Sequence, residues 1–166
     1  MIHIFKHLRK KVYTRVLCMI LSIALVSAIP AAQTEAAVVA QGIDVSKWQG
    51  KIDWQKVKKS GIDFAIIRIG YRGENGEIYS DSYAHYNIQQ ATKAGVLTGV
   101  YFFSTAVNIQ EAKEEAEWVY NNIKSYSISL PVVYDCEGFQ NAGSLMYSLS
   151  VSQRTQNALE FINQIK

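Results

Sequence analysis

The chain has 166 residues, 49% of them apolar and 19% charged, without a low-complexity tract; that length suits one globular domain plus a targeting segment, and the composition excludes a disordered chain. Five of the 17 Lys and Arg and one of the 14 Asp and Glu lie before Val38. The formal charge of +3 therefore hides a remainder with 12 basic against 13 acidic residues, and no nucleic-acid partner is expected.

A basic start (Lys6, Arg9, Lys10, Lys11, Arg15) leads into an apolar run from Val16 to Ile29 and then small residues around Ala31 to Ala37. This is the order of a secretory signal peptide, assigned to residues 1–37. The run is shorter than the ~20 residues a membrane span needs. Cleavage between Ala36 and Ala40 is expected rather than a retained anchor, giving a secreted or cell-wall-associated chain with no stable membrane association. Cys18 lies in this leader and follows Leu17, not the small residue of a lipoprotein site. Cys136 then stands alone, with no intramolecular disulfide open to it.

Residues 38–166 read as one catalytic-type domain. Gly42 to Val45 is a short extended piece followed by a polar turn, Ser46 to Gly50. Asp53 to Ser60 has helical spacing, with Trp54 and Val57 on one face and Gly61 as a stop. Phe64 to Ile69 is a buried strand ended by Gly70, followed by a loop with Gly73, Asn75 and Gly76. Ser82 opens a helix to about Ala94, stopped by Gly95. Val96 to Phe103 is the third strand. Asn108 caps a helix to about Ser125, and Glu111, Glu114 and Glu115 in its first turns suit the positive end of the helix dipole. Leu130 to Asp135 is the fourth strand, and Ser150 starts a last helix. Strands alternate with helices and no hairpin signal appears. The fold class is α/β, a parallel sheet with outer helices, matching about four strands of a TIM-like (β/α) barrel, and incomplete as such.

Chemistry in parallel barrels sits at the C-terminal ends of strands. Asp44 lies in the first strand, and Asp135 and Glu137 finish the fourth. Side chains alternate along a strand, so Asp135 and Glu137 share one face, while Tyr134 and Cys136 take the other. Their Cα atoms are ~6.5–7 Å apart at a rise of ~3.3 Å per residue. That spacing fits both the roughly 5–5.5 Å of retaining and the roughly 6.5–9.5 Å of inverting glycosidases, so it leaves the stereochemistry open. Two like charges in one pocket raise the proton affinity of at least one of them. A bare D-x-E also occurs as a turn cap or a surface ion pair.

The stretches GIDVSKWQG, FAIIRIGYRG, GVLTGVYFFS and LPVVYDCEGF resemble, in order and spacing, the family 25 lysozymes (N-acetylmuramidases), from about Gly42 to the last residue. The resemblance implies hydrolysis of the β-1,4 bond between N-acetylmuramic acid and N-acetylglucosamine in peptidoglycan glycan strands, with no cofactor and no metal. It makes Asp44, Asp135 and Glu137 the catalytic cluster. Glu137 is then the general acid, Asp135 stabilises the positive centre with help from the substrate's N-acetyl group, and Asp44 orients substrate or tunes its neighbours. It places Tyr101 near the sugar, against a reading of Tyr101 as ordinary strand packing. Against the family's length, the chain stops in a helix short of the strands that finish the barrel, and a C-terminally truncated domain is expected.

Other residues carry two readings. Arg68, a charge inside an apolar strand, needs an acid, either among the catalytic carboxylates or in a separate ion pair. Trp48 stacks on a sugar or covers the end of the core, and the cover is favoured. Tyr71 and Tyr79 lie near a loop suited to glycan contact. A Cys136–His85 nucleophile pair is not expected, since alternation turns Cys136 away from the acids and His85 falls on a helix surface. Rival functions are a wall-binding module without cleavage, an inactive fragment, and a chitinase-like enzyme, whose longer D-x-x-D-x-D-x-E run is missing here.

Overall fold

A computed structural model of the chain describes residues 39–165; the predicted leader lies outside them. The sheet contains β1 (Gly42–Val45), β2 (Phe64–Arg72), β3 (Ile78–Ser80), β4 (Leu97–Ser104) and β5 (Val132–Cys136). Four of these run parallel in the order β1-β2-β4-β5, and β3 pairs antiparallel with β2. The helices are α1 (Trp54–Lys59), α2 (Ala84–Lys93), α3 (Ile109–Ile123) and α4 (Val151–Ile165). The α/β class and the parallel sheet stand as read. No helix among the described residues is long and apolar enough to cross a membrane.

Local chemistry sets the boundaries. Asp53 caps α1 by accepting from the Lys56 N–H at 3.2 Å, and Asn108 caps α3 through Glu111 N–H at 2.9 Å. At α4, Ser150 Oγ accepts from Gln153 N–H while the Gln153 side chain accepts from Ser150 N–H, a reciprocal capping box.

Three readings need correction. β2 does not end at Gly70. It runs on to Arg72 and turns back through Gly76, at φ +81°, into β3, so a hairpin exists where none is predicted. Ser82 does not cap α2, which begins at Ala84; the Asp81 carboxylate instead accepts from Tyr83 N–H at 3.0 Å.

The two sheet faces separate core from site. Ile67, Ile69, Val100 and Phe102 point to the helices and pack with Ile88, Val119 and Phe161. Each such side chain, fully buried, contributes roughly 1.5–3 kcal/mol. The ring of Phe161 in α4 lies 4.8 Å from that of Tyr134 in β5, tying the last helix to the last strand. Ile66, Arg68, Tyr101, Phe103 and Asp135 take the opposite face. A bulge in β2 changes the phase: Arg68 pairs with Tyr101, but Gly70 pairs with Phe102. The extra residue returns Tyr71 to the site face and sends Arg72 to the helices.

Candidate active site

The site face lines a cleft of about 630 Å3 at the C-terminal ends of the strands. Asp44 comes from β1, Arg68 from β2, Tyr101 from β4, and Asp135 and Glu137 from β5 and the residue just past it; Trp48 stands at the rim. Six of the seven candidate residues therefore meet in one cleft. Cys136 does not line it, as alternation requires. His85 is exposed on α2 and bonds to the Tyr126 hydroxyl at 2.8 Å. Gly138 follows Glu137 at φ +82°, where a Cβ would meet Ser144 Oγ at 2.6 Å, so glycine lets the chain turn away directly after the acid.

Asp135 is half-buried, and its carboxyl is pushed up to about 6. Burial is the main cause, followed by the charges of Glu137 and Asp44, while Arg68 pulls the other way. The Tyr101 phenol is raised as well, chiefly by burial, with Arg68 opposing. No group of three or more His, Cys, Asp or Glu among the described residues is arranged to hold a metal ion.

Arg68 takes the second of its two readings. Its Nε donates to Asp81 Oδ2 at 2.8 Å, and Nη2 lies 2.8 Å from the same oxygen without an aligned hydrogen bond. Asp81 Oδ2 also accepts the Lys47 N–H at 2.9 Å, so one carboxylate fixes the arginine and the loop after β1. Trp48 is 77% exposed and covers no core, contrary to the favoured reading; the indole at the end of the core is Trp54, 2% exposed, which donates to Asn87 Oδ1 at 3.0 Å. Tyr71 lies outside the cleft lining. It stacks on Tyr79 with centroids 5.4 Å apart, and the cations of Lys47 and Arg68 face its ring.

Several residues escape the sequence reading. Phe103 pairs with Asp135 and lines the cleft, and Ser46 and Gln49 form a capping box at its rim. The S-x-x-Q spacing is the signal that could have found those two. Behind β5, Arg72 Nε donates to Glu115 Oε1 at 2.7 Å and Ser104 Oγ donates to Glu115 Oε2 at 2.6 Å. Having used its one proton there, Ser104 accepts from the Tyr134 hydroxyl, 2.9 Å away. This chain of bonds joins the ends of β2, β4 and β5 to α3, directly behind the residue that precedes Asp135.

A sequence profile described as Glycosyl hydrolases family 25 matches residues 43–166. The chain is 35% identical over 116 residues to "Lysozyme M1" of Streptomyces globisporus, covering 68% of this chain and 37% of that protein. Among solved structures, the bacterial lysozyme from Streptomyces coelicolor superposes with a TM-score of 0.62 at 31% identity, over 78% of this chain and 58% of that one. The modular autolysin LytC from Streptococcus pneumoniae, solved in complex with a synthetic peptidoglycan ligand, gives a TM-score of 0.63 at 25% identity, over 75% and 29%. The chain thus spans little more than a third of the length of the lysozyme relative it matches.

Proposed function

The chain belongs to glycosyl hydrolase family 25, and from that premise we propose that it is an exported muramidase acting on peptidoglycan. The observation that carries this reading is the meeting of Asp44, Asp135 and Glu137 in one cleft at the C-terminal strand ends, with the proton affinity of Asp135 raised first by burial and then by the charges of Glu137 and Asp44. Glu137, more exposed, protonates the glycosidic oxygen between N-acetylmuramic acid and N-acetylglucosamine. Asp135 stabilises the oxocarbenium-like centre, aided by the substrate's N-acetyl group, and Asp44 orients the sugar. Tyr101, Arg68 and Trp48 line the substrate's path, and glycan strands are the partner. Export follows from the basic-then-apolar order of residues 1–37.

The test is digestion of purified peptidoglycan followed by mass spectrometry of new reducing ends. Products ending in reducing N-acetylmuramic acid support the reading, provided that Glu137→Gln removes them. The alternative is a chain that binds glycan without cutting it, or an inactive one. Binding to peptidoglycan without new reducing ends selects that alternative.

A further inference from the structure

Glu137 stands one residue beyond the last ladder pair of β5, Ser104 with Cys136, so no strand bond holds it. β5 has only β4 beside it among the described residues. The direction of the Glu137 side chain therefore depends on what holds the chain just after it. Gly138, at φ +82°, opens a turn there that the Asn141 N–H closes by donating to the Gly138 carbonyl at 2.9 Å. Phe139, inside that turn, is exposed, yet its ring has a partner on α4.

That partner is Arg154, whose guanidinium faces the Phe139 ring 4.2 Å from its centroid. Burial raises the Cys136 thiol and the Arg154 charge opposes the rise, so the same cation also acts on the residue before Glu137. Arg154 Nε is buried without a hydrogen-bond partner, and the side chain forms no ion pair with a described carboxylate. A guanidinium taken partly out of water needs a partner for its charge, and the aromatic face is that partner here. The helix beneath it is fixed: Arg154 N–H donates to the Ser150 carbonyl at 3.1 Å, and the buried Asn157 Nδ2 donates to the Ala106 carbonyl at 2.9 Å.

Cys136 is held by the ladder and Phe139 by Arg154, which leaves Glu137 and Gly138 between two fixed points. Without the second point Gly138 is a swivel. Neither Arg154 nor Phe139 lines the cleft that holds the three carboxylates. We propose that Arg154, by holding Phe139 against α4, is a positioning residue for Glu137 and fixes where that acid delivers its proton. This rests on the muramidase reading above and adds to it a residue outside the cleft.

The test compares two substrates that differ in their need for an acid. Soluble peptidoglycan strands release a sugar oxygen that must be protonated, whereas the 4-nitrophenyl β-glycoside of N-acetylglucosaminyl-N-acetylmuramic acid releases a phenolate that leaves without a proton. Arg154→Met should lower kcat on the strands by about tenfold or more with KM unchanged, a part of the roughly hundredfold or greater acceleration that a general acid supplies. Its turnover of the aryl glycoside should be unchanged. Arg154→Lys, which keeps a cation over the ring, should restore the loss. Phe139→Leu, at an exposed ring, should show the same split even where Arg154→Met lowers Tm. The double variant should lose no more than either single one, because the two side chains act as a unit. Equal losses on both substrates in Phe139→Leu, additive losses in the double variant, or full turnover of the strands by Arg154→Met would each overturn the inference. In those cases cleavage of the strands by the unsubstituted chain preserves the muramidase reading. An unsubstituted chain that cuts neither substrate sinks both.

Discussion

Asp81 Oδ2 accepts from Arg68 Nε at 2.8 Å at the floor of the cleft, with the two side chains 1% and 10% exposed. β3 makes the pair possible, because it brings the chain back so that Asp81 N–H donates to the Ile69 carbonyl at 3.0 Å. Removing one partner of a buried ion pair strands the other charge, which costs about 3–5 kcal/mol. Asp81→Ala should lower stability by that amount in urea unfolding. The double variant Arg68→Met, Asp81→Ala should recover part of it. An additive loss in the double variant would show that the pair does not act as a unit.

The raised Asp135 carboxyl predicts a pH profile. Ionised Asp135 is the form that stabilises a positive centre, and its carboxyl titrates at about 6. Activity should therefore fall on acidification through pH 6. Asp44→Asn removes a neighbouring negative charge and should move this limb to lower pH. Carboxyl 13C titration of Asp135 checks the same shift without turnover, and a midpoint near 4 would refute it.

Behind the sheet, Glu115 is fully buried and its carboxyl is pushed up to about 7, chiefly by burial, with Ser104 and Arg72 opposing and Glu111 adding to the rise. Glu114, on the same helix, shares Arg72 with it at 3.4 Å. The folded-state value lies above the ordinary 4.5, so protonation favours the folded state. That contribution is complete below about pH 4.5 and is lost as pH rises through 7. At ~1.4 kcal/mol per pH unit it amounts to roughly 3 kcal/mol at most. Tm should decline between pH 5 and 8, and Glu115→Gln should flatten the decline. A slope unchanged in Glu115→Gln would place the titration elsewhere.

What the sequence discloses and what it hides divide along range. Period-two alternation is local, so the shared face of Asp135 and Glu137 and the outward turn of Cys136 are legible from five consecutive residues. The caps at Asp53, Asn108 and Ser150 are equally local. Arg68 announces its need for an acid, but Asp81 is found only through a hairpin that a Gly-rich stretch disguises as a loop. Glu115 looks like an ordinary acid near a helix start because its partner Arg72 stands 43 positions away. Trp48 and Trp54 are alike in composition and six residues apart. Tertiary packing alone puts one at the rim and the other in the core.

Gly70 follows directly on the bulge of β2 and pairs with Phe102. As a glycine after an apolar run it reads as a strand stop, yet the strand passes through it. A Cβ there would meet the Trp118 ring and the Tyr79 carbonyl oxygen, each at 2.6 Å. The carbonyl belongs to the β3 backbone and cannot swing aside as a side chain can. Gly70→Ala should therefore part β3 from β2 or displace Trp118, at a cost of about 1–3 kcal/mol from overpacking. The two consequences are separable. Parting β3 carries Asp81 away from Arg68, so amide exchange should quicken first at Asp81, whose N–H bonds to the Ile69 carbonyl. Displacing Trp118 instead disturbs its packing on Phe102, 5.8 Å away between centroids, and changes tryptophan emission while Asp81 stays protected. A Gly70→Ala chain with unchanged stability, exchange and emission would show that β2 does not need glycine there.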